Sequence, residues 1–537
     1  MVTIEFRTLP TIPVCAAQAK RPKRSTCGPI RSKKEKSAWR ETFPDRLGLH
    51  PTTKTVGRER RKATRFACCH AVVSRSPAFR RSRRAVFFID HFTAMVEMKQ
   101  TWGLRYFVVF IASVACIAWE LSASDWSRFR GPNGSGIAKV NALPPTQWSN
   151  AENLRWAVDL PGPGHSSPIV VGDKVFVTCW TGYGTDRQSQ GSLEDLKRHL
   201  LCIDLKSGKT LWRATVDAKL PEDRYQGMFA EHGYASHTPV SDGQRVFCFF
   251  GKSGVFAFDL DGQQLWNVDV GDGLDPRQWG SASSLMFSGE LLIVTAGPES
   301  GSLFGLNKQT GEVVWKQEVA LNGMWGTPIV ATVDTDRTDL IIAVPNEIWG
   351  LNPENGKLRW YCDGIRDGSM NSSPVLDNSV VYAIDGRGGD AVAVRIGGLG
   401  DVTQTNIVWQ KDHRGRISSP VVHDGRMYWV AGGVLNCVDA SSGERIYQQR
   451  LGSDPSGGGR GRGPRGGQDY SSPVVAGDQL YFFNRQGVGF VVRLGEEFQQ
   501  IATNRFDDPP ANFSGTPAIV DGTLLVRSTA KLYCIGQ

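Results

Sequence analysis

Four catalytic signatures are missing from the 537 residues: there is no H-E-x-x-H, no C-x-x-C, no G-x-S-x-G, and neither Asp-Phe-Gly nor His-Arg-Asp. These absences exclude a zincin-type protease, a dithiol redox site, an α/β-hydrolase elbow and a protein kinase. Long apolar runs are missing too. The longest, Tyr106 to Ala118, has thirteen residues, and a spanning helix needs about 20. Of the 11 cysteines, the six that follow Cys116 are Cys179, Cys202, Cys248, Cys362, Cys437 and Cys534, none adjacent to another. Only Cys68-Cys69 forms a vicinal pair.

A net positive charge is missing wherever a fold is expected. Residues 1–97 hold 22 Lys/Arg against 7 Asp/Glu, whereas the remainder of the chain has a slight acidic excess, so the formal net charge of +9 belongs to the leader. A phosphate-tracking surface, and with it nucleic-acid binding, is not expected on the folded part. The leader (RPKRS, RSKKEK, RERRK, RRSRR) has no helical or strand period and the composition of a disordered segment. After it, Met98-Lys99-Gln100 opens a positive region, the thirteen-residue apolar run follows, and Leu121-Ser122-Ala123 offers small residues for cleavage. This is the plan of a signal peptide over residues 98–123. Residues 1–97 are then expected to be sequence upstream of the true start, the rival readings being a basic cytoplasmic tail on a short signal anchor or a targeting segment. The mature protein is expected to be periplasmic or secreted, with no stable membrane span. Residues 124–152, with Trp126-Ser127-Arg128-Phe129-Arg130-Gly131-Pro132, read as a strap packed across the fold that follows.

What the sequence has in abundance is repetition. From Ser418 to Tyr447 four apolar runs are separated by Asp424-Gly425, Gly432-Gly433 and Ser442-Gly443, which reads as four antiparallel strands joined by tight turns. The start recurs as Ser/Thr-Pro at Ser167, Thr238, Thr327, Ser373, Ser419, Ser472 and Thr516, and Ser281 to Leu285 is a degenerate eighth copy. With Ser284 taken as the proline equivalent, the intervals run from 44 to 53 residues after a first of 71, a period that marks a repeat architecture. The outer half recurs as well, ending at Trp212, Trp266, Trp315 and Trp360, and more weakly at Trp409. The fold expected is an all-β, eight-bladed β-propeller spanning residues 153–537. Its last copy stops after a third strand, while Asn153 to Val158 has the character of a fourth, so the N-terminal strand should close the ring and leave no long edge open.

The outer pattern, apolar-Asp-x-x-(Ser/Thr)-Gly-Lys-x-x-Trp as in CIDLKSGKTLW, resembles the pyrroloquinoline-quinone-like (PQQ-like) propeller repeat. That repeat is shared by quinoprotein alcohol dehydrogenases, a lipoprotein of the outer-membrane barrel-assembly machinery, and sensor propellers of some bacterial kinases. The resemblance implies the fold and leaves the function open. It implies two readings: a non-catalytic binding or scaffolding propeller at the cell envelope, or a PQQ-dependent alcohol or sugar dehydrogenase. Quinoprotein alcohol dehydrogenases carry a vicinal cysteine pair beside the quinone and a calcium ion held by clustered oxygens. No such pair follows the leader, which counts against PQQ with calcium as the cofactor. Cys202, Cys437 and Cys534 share one repeat position and are expected to be small core residues.

Ligands usually bind where the loops of a propeller converge around the channel. The segments before each strand start place His165, His237, Trp279, Trp325, Asn371, Arg416, Tyr470 and Phe513 there. The turns between second and third strands bring Glu299, Asn346, Asp385, Arg387, Asn484 and Arg485, and blade 1 adds a long insertion from Trp180 to His199. Aromatic, Arg and His residues on one concave face suit a small anionic or planar ligand, or an envelope protein or peptide, bound by a monomer. A metal alternative rests on His165, Glu231, His232 and His237. The formal G-x-G-x-x-G at Gly461 to Gly466 lies in a Gly/Arg/Pro tract without a flanking strand or helix and reads as a flexible loop.

Overall fold

The computed structural model describes residues 125–139, 141–275, 277–319, 321, 323–385, 389–452 and 469–537. The leader, the signal-peptide segment, Arg387 and the Gly461–Gly466 tract lie outside the described residues. Eight sheets follow one another along the chain, each built on four antiparallel strands. Blade 1 is Ile169–Val171, Lys174–Thr181, Lys197–Asp204 and Thr210–Asp217. In blade 6 the Asp424-Gly425 turn has φ of 49° and 70°, the doubly positive geometry that two-residue hairpins prefer. Among the described residues no helix is long and apolar enough to cross a membrane.

The strand that closes the ring is Leu154–Asp159, which pairs antiparallel with Lys531–Ile535 of blade 8. Trp156 stands opposite Cys534 there, as Trp212 stands opposite Cys202 in blade 1. Each such tryptophan reaches across to the next blade: Trp156 Nε1 donates to the Leu205 carbonyl, Trp212 to Leu260, Trp266 to Lys308, Trp315 to Pro353 and Trp409 to Ala440. Its indole then lies against a turn glycine of that blade. A Cβ on Gly443 would come within 2.7 Å of Trp409, so this place admits only glycine on grounds of space as well as its φ of 69°. Trp409, weak in the sequence pattern, is a full member of the set.

Trp360 is the exception, and its cause is legible. Blade 5 lacks the usual outer turn, and Gly400–Asp401 instead pairs in parallel with Leu358–Asp363 of blade 4. Trp360 Nε1 therefore donates to the Asp339 carboxylate at 2.7 Å. Arg337 at 2.9 Å and Arg359 at 2.5 Å complete the shell of this fully buried acid and hold its pKa below the usual carboxylate range against the opposing effect of burial.

The Ser/Thr of each strand start has a structural role that its recurrence alone did not reveal. The Ser167 N–H donates to Thr238 Oγ1 (2.9 Å), that of Thr238 to Ser284 (3.0 Å), Ser284 to Thr327 (3.0 Å) and Thr327 to Ser373 (2.8 Å). The circuit goes on from Ser373 to Ser419 (2.9 Å), Ser419 to Ser472 (2.9 Å), Ser472 to Thr516 (3.0 Å) and back from Thr516 to Ser167 (2.9 Å). It is a closed belt with one hydroxyl per blade. It also shows that Leu285, not Ser284, holds the proline place in blade 3, one residue later than the spacing had it. All six cysteines of the propeller are buried and free; burial pushes Cys202 and Cys534 up to about 12.

Candidate functional site

Side chains alternate along an extended strand, so residues 0 and −2 relative to the belt hydroxyl face one way and residue −1 the other. All eight −2 residues line one cavity: His165, Trp325, Asn371 and Tyr470 are the large polar or aromatic ones, and Ser236, Ala282, Ile417 and Ser514 the rest. The belt hydroxyls form the next layer down. Met228, His232, Trp279 and Arg416 reach in from loops to complete a mouth around a volume of about 160 Å³.

The far end is closed by the strap. Trp126, buried, pairs with Val170, three residues beyond the belt, with both N–H···O distances at 3.0 Å. The Arg128 guanidinium donates to the Pro328 carbonyl at 3.4 Å and that of Arg130 to Pro420, each one residue beyond the belt, while Phe129 between them lines the cavity. Chain direction thus stacks three layers, mouth, belt and floor, into a blind cup. Both arginines are buried, and among the described residues neither has an ion pair; burial lowers them to about 10 and about 9.

Six residues expected at the mouth are there: His165, Trp279, Trp325, Asn371, Arg416 and Tyr470. His237 is not, because it occupies a −1 position and its ring turns between blades onto Phe249, 4.4 Å away. Phe513 stacks between Phe483 and Tyr533 in the core. Asp385 is fully buried and accepts from Asn371 and from the Ser372 N–H, so it braces the mouth from behind. Arg485 lies over the outer side of Tyr470, 5.3 Å from its centroid, and is neutralised by Glu231, which also takes Arg187 at 2.8 Å. Asn346, with φ of 72°, and Asn484 serve turns.

Glu299 and His237 meet elsewhere, in a cavity of about 30 Å³ between blades, beside Glu222 and Asp223. Burial raises Glu299 to about 7 and lowers His237 to about 3. The blade 1 insertion is shorter than expected: Trp180 and His199 belong to the strands, and the loop is 182–196. The sequence reading missed Met228, and it missed the belt as a cavity wall; the −2 spacing was the signal available for the latter.

The metal alternative does not assemble. Among the described residues no group of three or more His, Cys, Asp or Glu is placed to hold an ion. His232 spends both ring nitrogens, on Ser236 Oγ at 2.8 Å and on the Trp279 carbonyl, and Glu231 is held by its two arginines. Burial lowers the pKa of both His165 and His232, so the mouth imidazoles are neutral at pH 7. The cup therefore has hydrogen-bond donors, aromatic faces and one cation, Arg416, without an ion pair or hydrogen bond among the described residues.

The family model described as outer membrane protein assembly factor BamB matches residues 192–335 and again 324–536. The chain belongs to this family. BamB of Yersinia pestis is 28% identical over 239 residues, which cover 41% of this chain and 58% of that protein. A polyvinylalcohol dehydrogenase of a Pseudomonas species is 20% identical over 358 residues, 49% of this chain and 55% of that protein. The chain thus spans little more than half the length of these curated relatives. Among solved structures, a europium-containing methanol dehydrogenase superposes with a TM-score of 0.53 at 12% identity, covering 77% of this chain and 98% of that one. At 12% identity the likeness to the methanol dehydrogenase shows a shared fold alone, and the function has to be read from the chemistry of the cup.

Proposed function

We propose that the protein is a non-catalytic binding or scaffolding propeller of the bacterial cell envelope, exported and monomeric, with the central cup as its contact site. The observation that carries this reading is the donor set: among the described residues no Asp or Glu side chain lines the cup. A calcium ion beside a quinone needs several oxygen ligands, carboxylates above all. The amide of Asn371 is already turned to Asp385, and the six cysteines are isolated, so these residues do not fit a calcium–quinone pair. Aromatic rings with one forked cation suit recognition of a planar or anionic group, or of a partner's side chain. Matches to barrel-assembly relatives support the envelope setting.

The test is cross-linking in the native host. Tagged protein should be recovered from the periplasmic or outer-membrane fraction with a reproducible envelope partner, and a cup variant such as Trp325→Ala should weaken that recovery. Quinone-dependent dye reduction with an alcohol or sugar, saturable in substrate after reconstitution with PQQ and calcium, would overturn the proposal in favour of a dehydrogenase.

A further inference from the structure

The reading of the cup as a binding site leaves open what enters it, and three layers of chemistry narrow the choice. At the belt, each hydroxyl oxygen accepts the N–H of the preceding blade. Among the described residues none of these eight hydroxyls donates its own O–H to a protein acceptor, although every one lines the cup. A hydroxyl with one lone pair engaged and its proton free can donate toward the cavity. At the mouth, the acids that would compete for an incoming ligand are committed: Glu231 to Arg187 and Arg485, Asp385 to Asn371 and Ser372. Arg416 faces the cup with its charge uncommitted.

Beneath the belt lie the guanidinium groups of Arg128 and Arg130, buried and without counter-ions among the described residues. Cations in a low-dielectric floor project a positive potential into the space above them. Arg416 at the mouth and the two guanidinium groups in the floor disfavour a cationic ligand, and a neutral one leaves the field unused. The walls also have apolar work to do. Trp279 and Trp325 pack at 5.0 Å between centroids, tilted by 32°, and Met228, Ile417 and Phe129 add aliphatic and aromatic surface.

We infer that the cup takes an oxyanion carried on an aromatic or large apolar body, of which a carboxylic acid is the simplest form. This rests on the proposed binding role of the cup. The oxyanion meets Arg416 and the belt O–H groups, and the body packs on the tryptophan pair. No metal ion takes part. A free small acid and the C-terminal residue of an extended chain offer the same chemistry, and the closed floor stops either at one depth.

Calorimetric titration of the purified protein with 3-phenylpropionate and its amide, and with N-acetyl-phenylalanine and its amide, tests this in the presence of a chelator. At least one acid should bind saturably, one per chain, with its amide at least tenfold weaker, the factor expected for losing a charge-assisted contact. Arg416→Gln should reduce the acid to the level of its amide, Arg416→Lys should recover part of the difference, and binding should quench tryptophan fluorescence in the wild type but less in Trp279→Leu. Preference for N-acetyl-phenylalanine points to a chain end as the natural source, and preference for 3-phenylpropionate to a free acid. Equal binding of acid and amide, or indifference to Arg416→Gln, overturns the oxyanion assignment while leaving the cup as a site. Absence of binding by both acids at about 10 mM overturns the assignment too, and envelope cross-linking then judges the scaffold reading by itself.

Discussion

Two rings of residues, two positions apart in every blade, make opposite uses of the same repeat. The belt ring is serine or threonine in all eight blades, and its hydroxyls close one hydrogen-bond circuit. The mouth ring holds seven residue types in the same eight blades, with only serine used twice. The belt is uniform because a closed circuit requires an acceptor of one length at each station, and one gap leaves a buried N–H without a partner. The mouth has no mutual bonding to satisfy, so each blade is free to present a different group to whatever enters. Positions that a repeat holds constant are therefore where to look for architecture, and the varied positions one turn of the alternation away are where to look for recognition.

The largest test of this contrast removes the closure. A chain beginning at residue 165 lacks Leu154–Asp159 and exposes the edge of Lys531–Ile535; it should lose cooperative unfolding altogether or aggregate, as followed by circular dichroism and light scattering. Equal stability with a chain that begins at residue 125 breaks the idea of a mutually dependent ring.

Next in size is the exceptional blade gap. Asp339→Ala leaves Arg337, Arg359 and the buried Trp360 N–H without their common acceptor, which should cost about 3 kcal/mol in urea unfolding. The ordinary gaps should be weaker. Trp156→Ala should cost about 2 to 3 kcal/mol, below the range for a fully enclosed tryptophan because Trp156 is only half-buried.

Glu299 supplies a pH-dependent comparison between the interblade cavity and the cup. Its folded pKa, about 7, is raised above the unfolded value, so the protonated form is favoured by folding. Its contribution is full below about pH 4.5 and is lost as pH rises toward 7. Glu299→Gln should therefore be less destabilising, relative to wild type, at pH 7 than at pH 5, by on the order of 2 kcal/mol. His237, Glu222 and Asp223 share the cavity and are present in both proteins, so the difference isolates the one carboxyl. At the small end, Arg416→Gln and Tyr470→Phe should change folding stability by less than about 0.5 kcal/mol. A large loss from either would mean that the mouth is architecture after all.

Much of this was legible in the chain before any coordinates. The Ser/Thr-Pro starts, the Asp-Gly turns and the recurrent tryptophans specify blades, their number and the closing strand, because strand alternation and turn chemistry are local and repeat with the period. Six of the mouth residues were legible for the same reason. His237 and Phe513 were misplaced because "just before the strand" mixes positions of opposite facing, and counting by two from the belt separates them. Arg485 could not be judged from sequence, since the Glu231 that neutralises it lies 254 residues away.

Composition and periodicity thus determined that the chain is a closed ring of four-stranded blades, since hydrophobic alternation, turn residues and repeat length are properties of neighbours in sequence. Tertiary structure alone decided that the strap seals one end, that the belt hydroxyls bond in a circle, and that among the described residues Arg416 is left without a partner while Arg485 is not. Each of these depends on groups from different blades coming within hydrogen-bonding distance, and Coulomb and hydrogen-bond energies fall off over a few ångströms of space whatever the separation along the chain.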